Sequence, residues 1–239
     1  MNIIIKKVKV VAAPEPVRET RVTIVVTEDS PVWGFRTINI APGADRILVD
    51  WGDGAVDAFT ENVLNATHVY AAPDRYEVRF SDDLASFALS AKSGDCMRTY
   101  APMIRGVWSN ARKLDALLAY AFGSCMNLTE IDLKETQIRV IPEYCFYRCS
   151  SLVDLDNLPV GLVDICKRGF CNCERIEIAK FPNAVSVAGT EMLLPFSGCT
   201  ALQEIHFAEA NKEALLASEA FQYDPEHLGA PEAVVLFDS

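Results

Sequence analysis

Eight cysteines, three histidines and a few closely spaced carboxylates are the side chains of this 239-residue sequence that could hold a metal or act as nucleophiles. A structural zinc needs about four convergent Cys or His ligands, commonly presented as paired C-x-x-C knuckles. Cys166, Cys171 and Cys173 are close enough to share a metal, but they do not form two such knuckles. His68, His206 and His227 are scattered, and no two share ligand spacing on one element. A Cys–His nucleophile pair would meet in space and not in sequence, so spacing alone leaves it open. The nearest pair, Cys199 and His206, combines a residue expected to be buried with one expected to be exposed. No H-E-x-x-H, G-x-S-x-G, P-loop or dinucleotide-binding glycine signature occurs. The expectation is a protein that is not an enzyme, with no cofactor and no bound metal. Asp50 and Asp53 read as turn formers around Gly52 and Gly54, with calcium binding by clustered carboxylates as the other reading.

The cysteines make sense once their places in the chain are compared. Phe122-x-x-Cys125-x-x-Leu128, Phe146-x-x-Cys149-x-x-Leu152, Phe170-x-x-Cys173-x-x-Ile176 and Phe196-x-x-Cys199-x-x-Leu202 are four copies of one phrase, with phenylalanines 24, 24 and 26 residues apart. The residue before the aromatic is small in each copy: Ala121, Cys145, Gly169, Pro195 and, in a degenerate last copy, Ala220 before Phe221. A repeated thiol in a fixed slot behaves as a small buried hydrophobe, so these cysteines are read as reduced and structural. Self-similarity at this period is the mark of a leucine-rich-repeat solenoid, whose units bury their apolar sides only by stacking. Trp108-x-x-Ala111-x-x-Leu114 reads as a truncated first unit, and Asp224 with a late Leu228 as a terminal one. Two extra residues around Val187-Ala-Gly-Thr190 should make a local bulge. The full phrase x-F-x-x-C-x-x-L-x-x-I-x-L resembles the BspA-like bacterial leucine-rich repeats. That resemblance implies a surface-exposed protein with a role in adhesion to host or matrix proteins.

Ahead of the repeats, Val22–Val26, Phe35–Ile40, Arg46–Asp50, Thr67–Tyr70, Tyr76–Phe80 and Ser86–Leu89 read as short strands separated by turn formers, the pattern of an antiparallel β-sandwich. Asp50-Trp-Gly-Asp-Gly54 followed by His68-Val-Tyr70 and Tyr76-Glu-Val-Arg-Phe80 resembles the PKD-like module, an immunoglobulin-type sandwich of extracellular and surface proteins. Asp74 stands where that family has glycine. The fold expected is therefore mainly β: residues 1–92 a PKD-like sandwich with an N-terminal strand or arm, 93–107 a linker, and 108–239 a BspA-like repeat solenoid. PKD-like modules paired with such repeats also resemble proteins of gut bacteria and their phages, which implies a virion-associated assembly role as the alternative function.

The bulk composition narrows the partners. A net charge of −11 argues against phosphate neutralisation of nucleic acid, and Lys6, Lys7 and Lys9 are the one dense basic spot, read as protection of a strand edge. No apolar run approaches the roughly 18 residues of a membrane helix. The opening segment lacks the unbroken apolar core of about 7–15 residues that a signal peptide needs, so membrane insertion and a visible export signal are not expected.

The stretch after each cysteine should form the strand lining the concave side: Leu128–Leu133, Leu152–Asn157, Ile176–Phe181 and Leu202–Phe207. In-register stacking would align Glu130, Asp154, Ile178 and Glu204 in one column and Asp132, Asp156, Lys180 and His206 in the next. Like charges on neighbouring strands oppose stability. Glu130, Asp132, Asp154, Asp156, Lys180, Glu204 and His206 are therefore the candidate ligand-binding residues, for a protein or glycan partner. A solvated acidic face is the plainer reading.

Overall fold

The computed structural model describes residues 17–92, 95–184, 186–187, 194–217 and 228–239. The expected N-terminal arm, the bulge at 188–190, the Ala220-Phe221 pair, Asp224 and His227 lie outside the described residues. Strands β1 (Glu19–Val25), β2 (Val32–Ile40), β3 (Ile47–Asp50), β4 (Val56–Phe59), β5 (Val63–Val69), β6 (Arg75–Ser81) and β7 (Leu84–Ala88) come first. The sequence reading missed β4, whose residues are mostly exposed. A 3-10 helix (Cys96–Met103) leads into β8 (Ile104–Ser109) and the short β9 (Ala116–Leu117). The repeats supply β10 (Glu130–Asp132), β11 (Val140–Ile141), β12 (Asp164–Ile165), β13 (Ile178–Phe181), β14 (Ser186–Val187), β15 (Glu204–Ala208), helix α1 (Lys212–Ala217) and β16 (Val234–Asp238).

Two sheets built mainly from the first half face each other. One runs β10-β8-β1-β6-β3-β4 and the other β5-β2-β7-β9. Alternation decides which side of each strand is buried: in β1, Val22 and Ile24 are buried while Arg21, Thr23 and Val25 are half-exposed. Aromatic side chains bridge the layers, with Phe35 of β2 edge-on to Phe80 of β6 at 5.4 Å and stacked on Trp51 at 5.8 Å. Tight turns carry Gly52 at φ +84°, where a Cβ would also lie 2.7 Å from the Glu77 carbonyl oxygen, so no side chain fits.

The stretch 93–107, expected as a linker, holds the 3-10 helix and most of β8. Strand β8 pairs antiparallel with β1 and parallel with β10, so one sheet passes from the first half into the repeats. Trp108 is corrected accordingly. It lies half-exposed in β8, outside the phenylalanine column, and the first ring of that column rests on Phe87 of β7 at 5.6 Å.

Phe122, Phe146, Phe170 and Phe196 are fully buried and stack in sequence at 4.9, 5.2 and 5.5 Å, with interplanar angles of 18°, 2° and 3°. The thiols beside them do more than fill space. Cys149 donates its S–H to the Phe122 carbonyl at 3.2 Å, Cys173 to Phe146 at 3.1 Å and Cys199 to Phe170 at 3.0 Å, so each repeat is stitched to the one before. Among the described residues, seven cysteines are free. Burial raises the thiol pKa values of Cys125, Cys145, Cys149 and Cys173, while burial followed by the Asp164 carboxylate pushes Cys166 up to about 11. Since the thiolate is the nucleophile, native protein treated with iodoacetamide at pH 8 should leave these five unmodified for hours and label all of them in urea. Peptide mass mapping would read this, and rapid native labelling of Cys149 would contradict the packing.

A second periodicity is invisible in residue types. The backbone is left-handed two residues before and two after each phenylalanine: Tyr120, Tyr144, Arg168 and Leu194 at φ 61°, 55°, 52° and 22°, and Ser124, Arg148, Asn172 and Gly198 at 65°, 61°, 60° and 77°. Non-glycine residues rarely adopt positive φ. Here it turns alternate N–H groups toward the next repeat: Tyr120 donates to Glu143, Phe122 to Cys145 and Ser124 to Tyr147, and the next turn repeats the pattern with Lys167, Gly169 and Cys171.

Candidate functional site

The acidic residues do not form two unbroken columns. Strand β13 pairs with β15 so that Ile178 lies beside Glu204 and Lys180 beside His206. Glu130 and Asp132 have Gly106 and Trp108 of β8 as neighbours instead. Residues 152–157 form no strand. The reason is local: Asp154 accepts the backbone N–H of Asp156 at 2.6 Å, an Asx turn that competes with strand pairing.

Glu130, Asp132 and Asp154 come together in a cavity of about 480 Å³ where the repeats meet the six-stranded sheet. Its other wall carries Arg21, Arg75 and Glu77 from β1 and β6, and Trp108 and Asn157 also line it. Arg21 sits over the Trp108 ring, 4.6 Å from the centroid, and its charge is taken up by Glu19 at 2.5 Å and Glu77 at 4.0 Å. Among the described residues, no lysine or arginine forms an ion pair with Glu130, Asp132 or Asp154. The site is thus a polar groove lined by an aromatic ring and by three carboxylates without an ion-pair partner among the described residues. Sequence reasoning missed Trp108, Arg21 and Arg75, because they reach the groove only through pairing of β8 with β1 and of β1 with β6.

The remaining candidates lie elsewhere. Asp156 and Lys180 line a separate hollow with Lys134, Leu155 and Phe181, and Lys180 also borders one with His206 and Asp238. His206 is held between two carboxylates, Nε2 to Glu204 at 2.9 Å and Nδ1 to Asp238 of the neighbouring β16 at 3.0 Å. Burial disfavours its charge, yet the hydrogen bonds to Glu204 and Asp238 outweigh this and hold its pKa above the ordinary imidazole value of 6.5. A raised folded-state pKa stabilises fully below the unfolded value and is lost as pH rises through the folded one. Thermal stability should therefore fall as pH climbs above about 6.5, and His206→Gln should flatten that slope. Calorimetry across the range tests this, and parallel pH profiles for the two proteins would reject it.

The Asp50 and Asp53 carboxylates serve turns. Asp50 accepts the N–H of Gly52 at 2.9 Å, and Asp53 accepts that of Ala55 at 3.0 Å and contacts His68 at 2.8 Å. Among the described residues, no three His, Cys, Asp or Glu side chains converge as metal ligands. No described helix is long and apolar enough to cross a membrane.

No match was found among curated proteins. A leucine-rich repeat protein from Bacteroides ovatus ATCC 8483 is similar at 19% identity over 68% of this chain and 46% of that one, with a TM-score of 0.39. The leucine rich repeat protein TpLRR of T. pallidum is similar at 19% identity over 64% of this chain and 69% of that one, with a TM-score of 0.38. The chain thus spans less than half the length of the Bacteroides protein. Residues 115–225, which carry the stacked phenylalanine and cysteine columns, match the model of the BspA type leucine rich repeat region in six copies.

Proposed function

We propose that the protein is a non-enzymatic binding or adhesion protein whose concave strand face, at the junction groove, contacts a protein or glycan partner. Repeats of this type suggest a protein-interaction scaffold. One observation supports this groove: three carboxylates that form no ion pair with a described cation line it together with a half-buried tryptophan. Their charge favours a partner presenting lysine, arginine or hydroxyl groups, and the indole offers apolar contact area of the kind that anchors interfaces.

The direct test is to screen immobilised matrix proteins and a glycan array with the full chain, then repeat on the best hit with Asp132→Lys plus Asp154→Lys. Affinity should drop at least about tenfold, or about 1.4 kcal/mol, while the melting temperature falls by only the few degrees that loss of the Asp154 turn hydrogen bond costs. Asp156→Lys, outside the groove, should have little effect. Equal affinity for all three proteins would place the partner on another surface.

A further inference from the structure

A second feature lies apart from the acidic groove and does not depend on it. Arg18, Arg112, Lys134 and Arg139 line one open basin of about 1090 Å³, joined by Gln137 and a single carboxylate, Glu135. In a protein with a net charge of −11, four cations against one acid is a local reversal. None of the four forms an ion pair with a described residue, whereas Lys113, adjacent to Arg112, is paired to Asp83 at 2.6 Å. Arg18 donates to the Asn110 carbonyl at 3.3 Å, and the Arg112 backbone N–H is bound by Asp82. The sequence before Val17 carries Lys6, Lys7 and Lys9 against Glu15, so it brings no compensating negative charge.

The cations come from three separated stretches, and the backbone fixes the loop carrying two of them. Leu133 N–H donates to Asn157, Gln137 N–H to Leu114, and Val163 N–H to Arg139, so residues 134–139 are tied at both ends and in the middle. Among the described residues, no ion pair relieves the mutual repulsion of these like charges, and fold stability gives no reason to gather them.

The lining also selects the class of anion. It contains no aromatic side chain on which a nucleic-acid base could stack. Val160 is its one apolar side chain larger than glycine, too little to anchor a protein interface. The hydroxyl of Thr136 is already committed to the Leu133 carbonyl. What remains are guanidinium and ammonium groups with an exposed amide, spread over a volume larger than a single inorganic anion fills. We infer that this basin is a binding site for a multiply charged anionic saccharide, recognised through its sulfate or carboxylate groups by Arg18, Arg112, Lys134 and Arg139.

The test uses the full chain and a fluorescein-labelled, size-defined heparin hexasaccharide, followed by anisotropy at about 50 and 150 mM NaCl, where screening of exposed charges differs. Binding should appear at the lower salt and weaken at the higher. Arg112→Ala plus Arg139→Ala should reduce affinity about tenfold, as loss of two exposed charge contacts implies. Arg46→Ala plus Arg175→Ala, which removes the same charge from exposed positions outside the basin, should change it less than twofold. Melting temperatures of both double variants verify folding. The inference is overturned by no binding at low salt, by equal losses in the two double variants, or by an oligonucleotide of matched charge binding as tightly as the hexasaccharide.

Discussion

Replacing Phe146 by alanine should lower the stability of the protein by about 3–5 kcal/mol, the usual loss when a buried aromatic side chain leaves a cavity. Phe146 has no solvent exposure and is stacked on both sides, by Phe122 and by Phe170. Its removal therefore takes away transfer free energy and two ring contacts, each contributing about 0.5–1.5 kcal/mol beyond area in favourable geometries. At about 2–4 °C per kcal/mol for a chain of this size, the midpoint should drop by roughly 6–20 °C. Phe146→Leu, which keeps most of the volume, should lose much less. Urea and thermal melts followed by circular dichroism decide the matter, and a loss below about 1 kcal/mol for alanine would mean that the column is not what joins the repeats.

Trp51→Ala should cost a comparable amount in the first half of the chain. The indole is 1% exposed, stacks on Phe35 at 5.8 Å and His68 at 4.9 Å, and donates Nε1–H to Asp57 at 2.9 Å. Truncation would leave a large cavity and an Asp57 carboxylate without its donor, so about 3–5 kcal/mol is again expected. The more telling result concerns the rest of the molecule. Buried apolar residues form one cluster from Val22 to Ala233, and β8 belongs to both halves of the hydrogen-bonding network. Hydrogen exchange should therefore show amides of β6 and of the turns around Phe146 losing protection together in the Trp51 variant. Loss confined to residues before Leu89 would show that the two halves unfold separately.

How much of this was legible in the sequence follows from what repeats. The phenylalanine and cysteine columns could be read because each copy solves one packing problem with the same residues. The left-handed positions could not, since Tyr120, Ser124, Tyr144 and Arg148 carry no glycine-like signal and are held there by hydrogen bonds between repeats. Trp108 was misplaced because its spacing to Ala111 and Leu114 imitates the repeat phrase, while pairing of β8 with β1, over 80 residues earlier in the chain, decides where it goes. The acids of the expected strand face could be listed from the repeat register, but their grouping depended on an Asx turn at Asp154 that interrupts the second unit. Arg18, Arg112, Lys134 and Arg139 are scattered through an acidic chain, so only folding reveals that they share one basin.

The pairing of β8 with β10 has a kinetic corollary. Because Arg21, Arg75, Trp108, Glu130 and Asp132 of the acidic groove stand on strands of a single hydrogen-bonded sheet, the proposed binding would need no hinge to close between those strands. Such preformed sites forgo little conformational freedom on association. Variants of one guest should then arrive at nearly constant speed and differ mainly in how long they stay.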